Sequence, residues 1–469
     1  MAKNKEKTDA KKLAQKLLVD RKNGCEKMTE DTLENADQYC EGYKAFLNGV
    51  KSEREAVDFA VAEAEKAGFV PFDASKKYAP GDKVYYNNRG KAVILAVMGT
   101  EGCRGGVRIA ASHIDSPRLD LKPHPLYEKN DLALFKTHYY GGIKKYQWTT
   151  IPLSMHGRII LKNGTRVDVN IGEQEGEPQF CVTDLLPHLA DDQMKKTLNK
   201  GVEGENLNIL IGSRPIRTDK GDNLVKLNVM NLLHEKYGMT EEDFVSADLE
   251  FVPAFRAVDV GFDRSMIGAY GHDDRVCAYP ALTAVLNVKQ PKKTVVTVLA
   301  DREEIGSYGN TGLDSEFLRY FIADLAQAEG LEARHVLSLS QCLSADVTAA
   351  FDPNYPDAYE ALNANYLNCG VGVAKYTGAR GKSGTSEATA EFVAEVRSLF
   401  DKNDVLWQIG EMGKVDLGGG GTVALYIASL NVDVIDIGVP VLSMHSPFEV
   451  VSKLDVYMTY RGILSFYEA

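Results

Sequence analysis

Two carboxylates stand side by side in DREEIGS, residues 301–307: Glu303 and Glu304. The preceding KTVVTVLA, alternating and rich in β-branched residues, predicts a buried strand. Neighbouring residues leaving a strand point in different directions. One carboxylate can then hold a metal while the other faces an attacking water as a base. Other acids and histidines fall where strands are expected to end. In ASHIDSPRLD, His113 and Asp115 lie two apart and share a face of an extended segment. His113 can therefore bind a metal with Asp115 supporting it. GHDDR puts Asp273 and Asp274 at a helix start, and SLSQCLSAD puts Asp346 just past a strand. PVLSMHSPFEV does the same for His445. In open α/β sheets, ligand sites form outside the carboxyl ends of the strands.

Two imidazoles among several carboxylates make a donor set that suits zinc, cobalt or manganese. Five ligands sharing one Asp would hold two ions about 3.5–4 Å apart and bring a water's pKa toward about 7. A free carboxylate beside that water takes its proton and passes it to a leaving amine.

The rest of the chain must supply a frame for these groups. Its 469 residues are 44% hydrophobic and 26% charged, which fits a soluble protein of more than one domain. A net charge of -12 argues against nucleic acid or an anionic membrane as the partner. No run of about 18 apolar residues predicts a transmembrane helix. The basic start, MAKNKEKTDAKKLAQKLL, lacks the apolar centre of a secretory signal and is expected to be a solvated helix face. Seven scattered cysteines without a CxxC pair fit a reducing, cytoplasmic setting better than a disulfide framework.

Residues 9–67 show helical periodicity, and KVYYNN, KAVILAVMG and GVRIAASHID then read as strands. From 123 to 255 the texture is short strands and turns, with a hairpin signal at Asn163 and Gly164 and one helix in VMNLLHEKYGM. This predicts a mostly β domain, 123–255, inserted into a larger one made of 1–122 and 256–469. The last part alternates. A helix starts near Asp273, then come the strand KTVVTVLA, a helix around LDSEFLRYFIADLAQAEG and the strand HVLSLS. The helix SEATAEFVAEVRSLFDK, a Gly-rich turn into TVALYIASL and the strand DVIDIGVP follow. The expected fold class is α/β, a mixed sheet flanked by helices. The four glycines 418–421 can bring backbone N–H groups to a substrate carboxylate or oxyanion. GARGKSGTS fails the phosphate-loop spacing, with Tyr376 where a Gly is needed; HEKYG lacks a second His, and no G-x-S-x-G occurs.

Five stretches, ASHIDSPRLDLKP, GHDDR, DREEIGS, SADVTAAFDPNY and MHSPFEV, resemble the aspartyl aminopeptidase and aminopeptidase I family of zinc exopeptidases, from about residue 40 onward. The resemblance implies a zinc-exopeptidase-like fold and two zinc ions per subunit. His113 and Asp346 would complete one site, Glu304 and His445 the other, with Asp273 bridging. Glu303 would be the general base, and Asp115 would order the first site. It also implies that the inserted domain dimerises, that the homo-oligomer is a tetrahedral dodecamer, and that His188 reaches a neighbour's active site. Lys375, in GVGVAKYTG, lines up with the Lys by which acid-preferring members hold a substrate carboxylate. The chain departs from those members at Ala349 and Ala350, where they carry a His, and in GEMGKVDLGGGGT, where they carry an Arg-Asn-Asp loop. The expected reaction is removal of N-terminal residues from peptides, acidic ones (Asp or Glu) or neutral ones as in the aminopeptidase I branch. A dinuclear carboxypeptidase or deacylase, and a non-enzymatic metal-stabilised assembly, are the alternatives.

Overall fold

The strand Ala92–Val97 is buried at every position, and its alternate residues enter two separate cores. Val93, Leu95 and Val97 pack on one side; Ala92, Ile94 and Ala96 pack on the other. A period of two on a strand covered on both faces gives such a continuous apolar run. Val295–Ala300 repeats the pattern, with Val295 and Leu299 opposed to Val296, Val298 and Ala300. These strands belong to a nine-stranded mixed sheet, described in a computed structural model that covers residues 10–469 except Asp20 and Asp219.

The centre of the sheet is parallel, in the spatial order Val295–Ala300, Arg108–His113, Gln341–Ala345, Asp433–Gly438. Ala92–Val97 and Val371–Ala374 flank this centre as antiparallel neighbours. The helices Glu30–Gly49, Glu53–Lys66, His272–Asn287, Ala390–Lys402 and Lys453–Glu468 cover one face. Phe317–Ala328, Ala333–Ser338 and Ala424–Ala428 cover the other. Val295–Ala300 lies between Ala92–Val97 and Arg108–His113, so the Gly-rich connection 98–107 crosses an intervening strand. A Cβ on Gly99 would stand 2.3 Å from the Lys293 carbonyl carbon, which explains a glycine at that crossing.

A second sheet is antiparallel throughout and has seven strands drawn from residues 118–253. Leu153–Ile160 and Arg166–Ile171 pair through the Asn163 and Gly164 turn, where Leu161 N–H donates to Thr165 O at 2.9 Å. The strand Arg118–Lys129 runs through the position of the expected boundary at 122/123. A third, five-stranded sheet joins Val258–Val260, Met266–Ala269, Glu449–Ser452, Pro440–Leu442 and Thr348–Ala349. Its strands are too short for periodicity to show in the sequence.

Two expectations need correction. The helical stretch 9–67 is three helices, Ala10–Leu17, Glu30–Gly49 and Glu53–Lys66. The last break is a capping box hidden inside the periodicity: Glu55 N–H donates to Ser52 Oγ and Ser52 N–H donates to Glu55 Oε2 at 3.0 Å. HVLSLS is not a strand; Ala333–Ser338 is helical and buries the adjacent pair Val336 and Leu337. Ser340 Oγ donates to Val336 O at 2.7 Å and accepts from Val107 N–H, which turns the chain into Gln341–Ala345. The first half of the basic start, residues 1–9, lies outside the described residues. Among the described residues no helix is long and apolar enough to cross a membrane.

His156, fully buried on Leu153–Ile160, ties the second sheet to the helix Glu53–Lys66. Its Nδ1 lies 2.8 Å from Glu55 Oε1 and its Nε2 3.2 Å from Glu173 Oε1. Burial works against the charged ring, but Glu173 and Glu55 raise its pKa to about 9. A raised folded pKa contributes stability that is complete below the unfolded value of about 6.5 and is lost as pH rises through about 9. His156→Gln should therefore cost on the order of 3 kcal/mol near pH 6. The gap in melting temperature to the wild type should close by about pH 10; a gap independent of pH would rule out the charged ring.

Candidate metal and active site

Three neighbouring parallel strands end at one spot. His113 is the last residue of Arg108–His113, and Asp346 follows Gln341–Ala345. Glu303 and Glu304 occupy a tight turn, Glu303–Ile305, just beyond Val295–Ala300. The third sheet delivers the other two groups. Asp273 follows Met266–Ala269 at the start of a helix, and His445 follows Pro440–Leu442.

Asp273 stands between the two imidazoles. Its Oδ1 lies 3.2 Å from His113 Nε2 and its Oδ2 lies 3.1 Å from His445 Nε2. Asp346 Oδ1 is 3.7 Å from His113 Nε2, and Glu304 Oε2 is 3.6 Å from His445 Nε2. Two groups result, each able to hold a metal ion: His113, Asp273 and Asp346, then Asp273, Glu304 and His445. Within each, one ligand atom per residue lies within 4.8 Å of the others. Glu303 belongs to neither group, and its Oε2 lies 3.9 Å from His113 Nε2.

Hydrogen bonds behind the rings fix which nitrogens face the centre. His445 Nδ1 is 2.7 Å from the Gly142 carbonyl, which only accepts, so Nδ1 carries a hydrogen and, when the ring is neutral, the lone pair falls on Nε2. His113 Nδ1 is 3.0 Å from the Asp115 carbonyl, with the same result. Asp115 does more. Its Oδ1 accepts from Glu303 N–H and its Oδ2 from Glu304 N–H, each at 3.2 Å, so one carboxylate pins the Glu pair.

Sequence reasoning missed several supports. Glu449 accepts from His445 N–H at 2.7 Å and from Asp273 N–H at 3.2 Å. It thereby holds His445 at φ +63, a region that costs an L-residue roughly 1–2 kcal/mol. Asp274 accepts from His113 N–H at 3.2 Å, and Ser116 Oγ donates to Asp273 O at 2.6 Å. Tyr140 donates to Asp115 Oδ2 at 2.8 Å. Glu449 stood in MHSPFEV, four residues after His445, but its partners are backbone groups that residue types do not reveal.

The electrostatics suit a cation. Burial, with Asp346, Asp115 and Asp273 nearby, raises Glu303 to about 8. Burial and Asp273 push Glu304 well above its ordinary value. Burial opposes charge on both imidazoles, yet the carboxylates win: His113 is held well above its usual range and His445 rises to about 10. Glu304 Oε1 is buried with no hydrogen-bond partner among the described residues. Two imidazoles with oxygen donors and an orphaned carboxylate oxygen fit zinc or a similar divalent ion.

The centre opens into a cavity of about 670 Å³. Gly419, Gly420 and Gly421 line it, as do Val347, Met412 and Met444, and Gly142, Ile143 and Lys144 from the loop after Leu132–Tyr140. His188 and Lys375 are not among its lining residues. His188 sits in the exposed turn Pro187–Leu189, and Lys375 is exposed just past Val371–Ala374.

Residues 46–467 match the family of aminopeptidase I zinc metalloproteases (M18), and the chain belongs to that family: it is a zinc-dependent aminopeptidase, a hydrolase. Among its relatives is the probable M18 family aminopeptidase 1 of Clostridium acetobutylicum, 48% identical over 458 residues that cover 96% of this chain and 98% of that one. The crystal structure of the M18 aminopeptidase from Thermotoga maritima superposes with a TM-score of 0.92 at 42% identity, covering 96% of this chain and 99% of that one. The S. cerevisiae mApe1 dodecamer shares the fold at a TM-score of 0.75 and 19% identity, over 93% of this chain and 97% of that one.

Because a glutamine offers only one oxygen for the two backbone N–H groups, Glu449→Gln should weaken zinc binding about 10–100-fold in competition with a chelator. Circular dichroism should not change. Unaltered affinity would remove Glu449 from the support of the site.

Proposed function

We propose that this chain is a dinuclear zinc aminopeptidase in which Glu303 is the general base. The observation that carries this reading is Asp273, with one oxygen toward each histidine and a spare carboxylate, Glu303, beside the pair. His113 and Asp346 would hold one ion, Glu304 and His445 the other, and Asp273 both. When bound, the two ions would supply Lewis acidity, polarising the scissile carbonyl and lowering the pKa of water toward about 7. Glu303 takes the proton from the attacking water and delivers it to the leaving amine. Positive charge nearby would draw its pKa down from about 8 toward neutrality, where a base works best. Asp115 keeps the base aimed through its bond to the Glu303 N–H. Cobalt or manganese would suit the same donors.

The substrate is a peptide with a free amino terminus. A neutral terminal residue is supported by Val347, Met412 and Met444 in the cavity lining, where, among the described residues, the one lysine is Lys144 and Lys375 is absent. We propose further that residues 123–255 form an inserted dimerisation domain and that dimers assemble as in the mApe1 dodecamer. Exposed Leu185, Leu186, Leu189 and Met194 around His188 support a contact there with another copy. In that assembly His188 would approach a neighbour's cavity. All seven cysteines are unpaired, which supports a cytoplasmic setting.

Glu303→Gln should lower kcat by about 10²–10⁴-fold while the protein retains two zinc ions per chain. Activity within twofold of wild type would exclude Glu303 as the base. In a comparison of Asp-, Glu-, Leu- and Lys-aminoacyl substrates, the Leu compound should be cleaved fastest, and Lys375→Ala should leave the ratios unaltered. A loss confined to Asp and Glu would instead establish the acidic specificity. Cleavage of N-acetylated peptides alone would indicate a deacylase.

A further inference from the structure

We propose that residues 140–142 form a positioning strut that sets both histidine ligands from one piece of the second sheet. The inference rests on the dinuclear reading above and names the groups that hold its two halves in register.

Tyr140 is the last residue of Leu132–Tyr140 and pairs with Arg118 on the neighbouring strand. The Arg118 guanidinium lies over its ring, 3.9 Å from the centroid. Arg118 is in turn fixed by Glu250 at 2.7 Å and Glu53 at 3.4 Å. The ring is thus clamped, and its hydroxyl donates to Asp115 Oδ2 at 2.8 Å. The Asp115 carboxylate accepts from the backbone N–H of both Glu303 and Glu304, and its Oδ1 lies 3.3 Å from His113 Nδ1, which the Asp115 backbone carbonyl also holds. One phenol therefore stands behind the first half-site and the base.

Two residues on, the same segment reaches the second half-site. The Gly142 carbonyl accepts from His445 Nδ1 at 2.7 Å. Gly141 has φ +74, and a Cβ there would meet Glu304 Oε2 at 3.2 Å and Pro117 Cγ at 3.3 Å. Glycine is needed at 141 for both reasons: its backbone region disfavours side chains, and its neighbour is a ligand. The strut thus touches the supports of both halves while belonging to a sheet that carries none of the five ligands. Tyr140, Gly141 and Gly142 are positioning residues, since they act through Asp115, Glu304 and His445.

The test is Co²⁺ titration of the metal-free protein, followed by visible absorption, with His113→Ala and His445→Ala assigning each binding step to a half-site. Tyr140→Phe keeps the ring over Arg118 and removes only the hydroxyl. It should weaken the step lost in His113→Ala by about tenfold and alter its absorption band, and weaken the other step less, through the Glu304 N–H that shares Asp115 Oδ2. Gly141→Ala should do the reverse, weakening the step lost in His445→Ala. Two steps in the wild type that both variants leave unchanged would overturn the strut alone. Equal weakening of both steps with a lowered melting temperature would also overturn it, as a general effect on folding. Fewer than two steps in the wild type would overturn the dinuclear reading itself.

Discussion

The arrangement depends on one carboxylate shared between two imidazoles. Asp273 faces His113 with one oxygen and His445 with the other. A carboxylate so placed must be fixed at both ends, because a rotation that improves one contact spoils the other. The surrounding bonds do this through the backbone: Glu449 accepts the Asp273 N–H, and Ser116 donates to its carbonyl. The nine-stranded sheet brings His113, Glu304 and Asp346 to the spot, while the small third sheet brings Asp273 and His445. The site is thus a seam between two sheets.

Concentrating seven acids, Asp115, Asp273, Asp274, Glu303, Glu304, Asp346 and Glu449, in one seam is unfavourable unless positive charge offsets it. The raised values of Glu303, Glu304 and Asp346 express that cost, as does the retention of charge on both histidines. Much of the surrounding protein exists to keep these groups from relaxing apart. Asp115 pins two backbone N–H groups of the Glu turn, and Glu449 holds His445 in a backbone region that it would leave if released.

Much of this was legible in the residues. Acids and histidines placed beyond β-branched runs come together in space, because strand ends in a parallel sheet share an edge. KAVILAVMG and KTVVTVLA read as strands, and each holds one that is buried at every position. What the sequence hid had physical causes. HVLSLS alternates like a strand, yet Val336 and Leu337 are buried as neighbours on a helix. The third sheet uses strands of two to four residues, below the length at which a period can be read. Glu449 acts on backbone groups, Tyr140 on another support and Gly142 through its own backbone carbonyl, so residue type alone does not mark them.

The candidate ligands also lie far apart along the chain: His113, Asp273 and His445 are each separated by more than a hundred residues. A bound ion would then act as a cross-link as well as a reagent. Closing a loop of that length costs an unfolded chain about 5 kcal/mol. Zinc held by these three residues would thus staple distant parts of the polypeptide, so that the reagent that cuts other chains would also help keep this one from coming undone.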